Sequence, residues 1–167
     1  MAAEPLESLR SDAFAAVRDD SRKNRETNMQ YTTSTTISAT PEAIWDILVD
    51  ISNWTEWDTT IQEIEGNAAP GGKIKLRAKV NPGRTFSINV AEFSPPGRMV
   101  WSEGMPLGLF KGERTYTLAA QDAGTEFTMT EVYSGLMAGM ITRSIPDLQP
   151  SFDEFAAALK TKAEAVT

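Results

Sequence analysis

The sequence of 167 residues contains no histidine and no cysteine. Without these side chains, a zinc site with Cys or His ligands, a Ser–His or Cys–His nucleophile and an imidazole proton shuttle are excluded. The lack of cysteine also rules out disulfides and favours a cytoplasmic location. Any catalysis must therefore use carboxylates, Tyr, Lys, Arg or bound water, and no metal or cofactor is predicted.

Long apolar runs and an excess of basic charge are missing as well. No window reaches 18 apolar residues, so no stable membrane insertion is predicted, and the acidic start does not fit a secretory signal. The net charge of −7 and the isoelectric point near 4.7 argue against a nucleic-acid partner. With 41% hydrophobic and 23% charged residues, the composition is typical of one ordinary soluble domain, whose oligomeric state the sequence leaves open.

Residues 1–28 are predicted to form an N-terminal extension, separate from a domain over residues 29–167. Apolar side chains recur in the extension at the spacing of a short amphipathic helix: Leu6, Leu9, Ala13, Phe14 and Val17. The stretch 18–28 that follows is almost wholly polar and is predicted to be a linker. Three interpretations remain open: an arm packed on the domain, a mobile tail, or an extra segment ahead of a natural start at Met29.

The domain itself is predicted to contain a strand, two helices, about six antiparallel strands and a long C-terminal helix. Thr40 and Pro41 have the residue types of a helix start, and the sequence Ser151 to Glu154 forms an S-x-x-E capping box at the start of the last helix. An antiparallel sheet with one apolar face must cover that face, and the last helix is the obvious cover. The space between them is a natural place for a cavity.

Two strands joined by a tight turn, from Gly112 to Leu136, carry the most informative pattern. If Gln121 to Gly124 is the turn, Tyr116 faces Met129, Leu118 faces Phe127 and Arg114 faces Glu131. An ion pair is thus predicted among large apolar side chains. Two interpretations stand: a structural salt bridge, or a polar anchor inside a ligand cavity with mainly apolar walls.

Four motifs resemble the START-like SRPBCC superfamily, in particular its bacterial polyketide cyclase/dehydrase-type branch. They are ISATPEAIWDILVDISNWTEWD (37–58), GERTYTL (112–118), GTEFTMTEVYSGL (124–136) and FDEFAAALKTKAE (152–164). The resemblance, from Tyr31 to Ala165, implies an α+β helix-grip fold: about seven antiparallel strands wrapped around a long C-terminal helix, with a deep hydrophobic cavity. Relatives bind lipids, sterols, polyketides or other apolar molecules, and a minority catalyse cyclisation or dehydration.

The resemblance and the hairpin together predict binding of a small hydrophobic or amphipathic molecule and leave open whether the protein also transports it. Arg114 would orient its polar end and Glu131 would hold Arg114. The predicted ligand-binding residues are Trp101, Phe110, Arg114, Tyr116, Met129, Glu131, Tyr133, Met137 and Met140. The branch often has His at the position of Arg114, and Arg cannot shuttle protons at neutral pH, which weakens an acid–base role there.

Two alternatives to simple binding remain. One is a polyketide cyclase or dehydratase acting in the same cavity, with Arg114 stabilising an enolate and Glu131 or Tyr133 moving protons; these three are the candidate catalytic residues. The other is a stress or partner-interaction role that would depend on the N-terminal extension.

Overall fold

A computed structural model describes residues 29–166 of the chain, and the predicted N-terminal helix and linker lie outside these residues. The described chain forms one seven-stranded antiparallel sheet in the order β1-β7-β6-β5-β4-β3-β2, which curls into a half-barrel. Its strands are β1 (Met29–Ile37), β2 (Ile61–Gly66), β3 (Lys73–Ala78), β4 (Phe86–Ser94), β5 (Arg98–Met105), β6 (Phe110–Gln121) and β7 (Gly124–Ser134). The predicted α+β helix-grip fold is confirmed.

Within residues 29–166, four α-helices accompany the sheet: α1 (Pro41–Val49), α2 (Trp54–Trp57), α3 (Ala138–Ile141) and α4 (Gln149–Ala165). At the start of α1 the Thr40 hydroxyl accepts a hydrogen bond from the backbone N–H of Ala43 at 3.3 Å, as the sequence predicted. No helix within the described part of the chain has the length and apolarity needed to cross a membrane.

The predicted start of the C-terminal helix is wrong by three residues, because the N-cap is Leu148 and not Ser151. Helix α4 begins at Gln149 and has no side-chain cap, so Ser151 lies inside its first turn instead of capping it. Pro150 is compatible with this start because the first helical residues need no backbone N–H donor. The Asp147 carboxylate instead accepts a hydrogen bond from the backbone N–H of Gln149 at 3.0 Å.

The register of the hairpin β6–β7 is the one that the sequence predicted. Arg114 pairs with Glu131, Tyr116 with Met129 and Leu118 with Phe127. Alternate residues of β7 are buried, which places one row of side chains on the inner face of the sheet. The register therefore puts the two charged side chains side by side on the face that α4 covers.

Aromatic and aliphatic side chains from α2 and α4 fill the space over the inner face. The fully buried Trp54 stacks on Trp101 with ring centroids 5.3 Å apart and meets Phe155 of α4 at 5.2 Å. Its indole N–H donates to the backbone oxygen of Ile47 at 3.2 Å. Burial of a side chain such as Phe155 or Leu159 contributes about 1.5–3 kcal/mol. These contacts hold α4 against the sheet.

One end of the sheet, which we call the loop end, gathers the segments 79–85, 106–109 and 135–148. The antiparallel pairs Met105 with Phe110 and Met29 with Tyr133 place the β5–β6 loop, the end of β7 and the start of β1 together. The start of α4 lies there too, because the Gln149 side chain donates to the Thr32 backbone oxygen at 2.9 Å.

Candidate functional site

A narrow cavity lies between the inner face of the sheet and α4. Its volume is about 90 Å³. Typical ligand pockets have roughly 300–1,000 Å³, so a bound molecule must be slender or must displace side chains. The walls are mainly apolar and include Leu76, Ala78, Phe86, Ile88, Trp101, Phe110, Met129, Phe152 and Phe155.

Arg114 and Glu131 form an ion pair in the wall of this cavity. The Nε and Nη2 atoms of Arg114 donate to the same carboxylate oxygen, Oε2 of Glu131, at 2.7 and 2.5 Å. The guanidinium lies over the ring of Phe152, 4.9 Å from its centroid. Glu131 uses only Nε and Nη2 of the guanidinium, and the Tyr116 hydroxyl is a further polar group near it. Arg114 is therefore a cation held in place by Glu131, with N–H donors that Glu131 does not use, in the wall of a mainly apolar cavity.

Burial and neighbouring charges keep this cluster in defined protonation states. Burial alone would disfavour the charged form of Arg114, but the carboxylate of Glu131 outweighs it and raises the pKa of Arg114 above its usual range. Burial, assisted by Glu131, raises the pKa of the Tyr133 hydroxyl. At neutral pH Arg114 is thus a cation, and Tyr133 is a hydrogen-bond donor and not a phenolate.

Two further carboxyl groups belong to the surroundings of the site. Burial raises the pKa of Glu103, which lies in the cavity wall, although Arg84 opposes this effect. Burial likewise raises the pKa of Asp58. One oxygen of Asp58 accepts hydrogen bonds from the backbone N–H and the hydroxyl of Thr60 at 2.8 and 2.7 Å. Both groups therefore release their protons less readily than an exposed carboxyl.

Three buried polar atoms lack a hydrogen-bond partner within residues 29–166: Asp58 Oδ2, Trp101 Nε1 and the Tyr116 hydroxyl. The nearby Arg114 opposes the rise that burial causes in the pKa of Tyr116. The rings of Trp101 and Tyr116 meet edge to face, with centroids 5.1 Å apart. Each unpaired group costs about 1–3 kcal/mol. Of the three residues only Trp101 lies in the cavity wall, where a polar atom of a bound molecule would recover this cost.

The structure brings most of the predicted ligand-binding residues together. Six of them lie in the cavity wall: Trp101, Phe110, Arg114, Met129, Glu131 and Tyr133. Tyr116 is fully buried against Trp101 and Phe155, outside the wall. Met137 is half-buried and Met140 is exposed, both after β7 at the loop end. Their roles in binding remain predictions.

Sequence reasoning did not select Asp58, Glu103, Phe152 or Phe155 as site residues. Phe152 and Phe155 lie on the buried face of α4, and their helical spacing is the signal that could have indicated them. No local pattern marks Asp58 or Glu103. Asp58 reaches the site through the packing of α2. Glu103 reaches it through the register of β5 and β6, in which it pairs with Gly112.

The half-barrel, the covering helix and the enclosed cavity define a START-like helix-grip protein. In agreement, the family model for polyketide cyclase / dehydrase and lipid transport proteins matches residues 29–164. The chain belongs to this family, and the resemblance to the START-like SRPBCC superfamily is confirmed.

Solved structures with the same fold are distant in sequence. The Zhui aromatase/cyclase from Streptomyces sp. R1128 is 12% identical, with a TM-score of 0.64 over 82% of this chain and 94% of that one. BexL, a di-domain aromatase/cyclase of the BE-7585A biosynthetic pathway, is 16% identical, with a TM-score of 0.66 over 95% of this chain and 58% of that one. A Rhodobacter sphaeroides protein is 21% identical, with a TM-score of 0.61 over 81% of this chain and 92% of that one. No curated protein matches the sequence significantly.

Proposed function

We propose that the protein binds a small amphipathic molecule in the cavity between the sheet and α4. The observation that carries this proposal is Arg114: a cation fixed through a single carboxylate oxygen of Glu131, with further N–H donors in the wall of a mainly apolar cavity. A cavity of this kind recognises an oxygen-bearing end by charge and an apolar body by contact.

The surroundings of Arg114 narrow the class of ligand. A carboxylate, phenolate or enolate oxygen would accept hydrogen bonds from the free side of the guanidinium, and the protonated Tyr133 would add a further donor. The aromatic rings of Phe110, Trp101 and Phe155 favour a flat body. Met129 can change its shape to widen the narrow space. A planar aromatic acid or phenol fits these conditions best.

The test compares two probes that differ in charge, naphthalene-2-carboxylate and its methyl ester, by titration of tryptophan fluorescence. Replacing Arg114 with Met should weaken the carboxylate roughly tenfold or more, because a hydrogen bond to a charged group contributes about 1.5–3 kcal/mol. The ester should weaken by less than about threefold, because it makes no ion pair. Arg98→Met is the matched control, since Arg98 forms a similar cross-strand pair with Glu92 at an exposed position. Equal weakening of both probes by Arg114→Met would contradict the proposal.

One observation also supports a cyclase or dehydratase acting in the same cavity. Glu103 holds its proton more tightly than an exposed carboxyl and lies in the same wall as the Arg114 cation. With this combination, Arg114 would stabilise an enolate and Glu103 would transfer a proton. An enzyme of this kind should turn over a poly-β-ketone, and Glu131→Gln should abolish turnover while binding persists. If the unaltered protein binds the poly-β-ketone without turning it over, the enzyme hypothesis is contradicted and only the binding function stands.

A further inference from the structure

A second cation, Arg84, lies in the wall of the same cavity as Arg114. It belongs to the segment 79–85 at the loop end, and its side chain is exposed. The central carbon of its guanidinium lies over the ring of Phe86, 4.7 Å from the centroid. Phe86 is partly buried and is itself a residue of the wall. The ring therefore holds the Arg84 cation at the rim of the cavity.

Arg84 differs from Arg114 because no carboxylate of residues 29–166 lies within ion-pair distance of it. The ion pairs in this part of the chain use other cations: Lys75, Arg77, Arg98, Lys111, Arg114 and Lys160. A guanidinium carries five N–H donors in a planar fork that matches a carboxylate. The donors of Arg84 are thus available to an acidic group of a bound molecule.

The carboxyl group of Glu103 lies within electrostatic reach of both cations. Burial raises the pKa of Glu103, and Arg84 and, to a smaller extent, Arg114 oppose this rise. Both arginines are therefore near one common group of the wall. A carboxyl group that holds its proton more tightly competes less with a ligand for these cations.

The register of the sheet keeps the two cations apart. Arg114 of β6 is level with Trp101 of β5, which is level with Val90 of β4. Phe86 precedes Val90 by four residues, so it lies about 13 Å from Arg114 along the strands and about 10 Å across two strand spacings. The wall between these positions includes the apolar side chain of Ile88. This spacing suits an elongated molecule with a polar group at each end.

We propose that Arg84 binds a second acidic group of the ligand at the rim of the cavity, while Arg114 binds the first acidic group farther inside. The ligand is then a flat, elongated molecule with an acidic oxygen at each end and an apolar body between them. This inference rests on the proposed binding function and narrows its class of ligand. Because Arg84 is exposed, its contribution is smaller than that of Arg114 and is screened by salt.

Titration of tryptophan fluorescence with naphthalene-2-carboxylate and naphthalene-2,6-dicarboxylate tests this role. Arg84→Met removes the charge and keeps an unbranched side chain next to the Phe86 ring. It should weaken the dicarboxylate about threefold, the effect of losing an exposed ion pair, and leave the monocarboxylate unchanged. The threefold effect should disappear at about 1 M salt, where exposed charges are screened. Arg114→Met should weaken both probes.

Lys79→Met serves as the control, because Lys79 is an exposed cation of the same segment and is not a residue of the cavity wall. Both probes should bind this variant as they bind the unaltered protein. The inference is overturned if Arg84→Met weakens both probes alike or neither, or if Lys79→Met weakens the dicarboxylate as much. Those results leave the role of Arg114 intact. If the unaltered protein binds neither probe, the proposed function itself fails, and this inference fails with it.

Discussion

Arg114 and Glu131 face each other across β6 and β7, and both hydrogen bonds of the guanidinium end on one carboxylate oxygen. A pair built for stability alone gains most when both oxygens and both nitrogens are used in parallel. Here donors remain uncommitted next to a cavity. The side chain of Arg114 is 23% exposed and that of Glu131 is 8% exposed, so the cation is the more accessible partner.

Removing one member of this pair should destabilise the protein, whereas removing both should not. Glu131→Ala leaves the Arg114 charge without a partner and should lower the free energy of unfolding by about 3 kcal/mol. Arg114→Met combined with Glu131→Leu should stay within about 1 kcal/mol of the unaltered protein, because apolar side chains can replace a buried pair. Urea denaturation measures both values.

The same double variant separates stability from binding. It should lose affinity for naphthalene-2-carboxylate while it remains folded. If the double variant is as unstable as Glu131→Ala, the pair is needed for the fold, and the binding interpretation of its geometry is contradicted.

The pH dependence of stability should reveal the buried Asp58. Its pKa is raised above the ordinary 3.8, mainly by burial. The folded protein therefore holds this proton more tightly than the unfolded chain, so stability present below pH 3.8 is lost as the pH rises through the raised value. Asp58→Asn removes this loss, and its stability relative to the unaltered protein should increase from pH 3 to pH 7.

Asp50 provides a control of opposite sign. Hydrogen bonds from Asn53 and Ser52 lower the pKa of this exposed carboxyl. Its stabilising contribution is present above pH 3.8 and is lost as the pH falls through the lowered value. Asp50→Asn should therefore become less stable relative to the unaltered protein as the pH rises. If the stability of both variants relative to the unaltered protein changed with pH in the same direction, this assignment would be contradicted.

The unpaired hydroxyl of Tyr116 should contribute nothing to stability. Tyr116→Phe removes a buried group that has no partner, so the free energy of unfolding should stay the same or rise by up to about 1 kcal/mol. Thr125→Val is the contrasting change, because the Thr125 hydroxyl donates to the backbone oxygen of Ala39 at 2.7 Å. This variant should lose about 1–2 kcal/mol. If Tyr116→Phe instead lowered the free energy of unfolding by as much as Thr125→Val, the Tyr116 hydroxyl would have a hydrogen-bond partner in solution.

The fold was predictable from the sequence because its strongest signals are local. Alternating side chains and a short turn determine the register of β6 and β7, and this register brought Arg114 beside Glu131 without any knowledge of distant contacts. The start of α4 was predicted less well, because a capping sequence at Ser151 competes with a proline that also fits the first turn.

The candidate site was only partly predictable, because it is assembled from remote segments. Asp58 follows α2 and is close enough to Arg114 to feel its charge, yet it is 56 residues away along the chain and no periodicity connects the two. Met140 follows an apolar pattern that resembles a core segment, yet it is exposed. Whether an apolar side chain points inward at a loop depends on the path of the backbone, which side-chain spacing alone does not specify.

Native mass spectrometry tests the central claim most directly, using protein isolated under non-denaturing conditions and then offered naphthalene-2-carboxylate. Ala78 lies in the cavity wall, so Ala78→Trp should fill the space, while Ala119→Trp places the same side chain at an exposed position of β6. We predict a complex with one bound molecule, co-isolated or added, for the unaltered protein and Ala119→Trp, and none for Ala78→Trp. The absence of any complex, or an equal complex with Ala78→Trp, would contradict binding in this cavity.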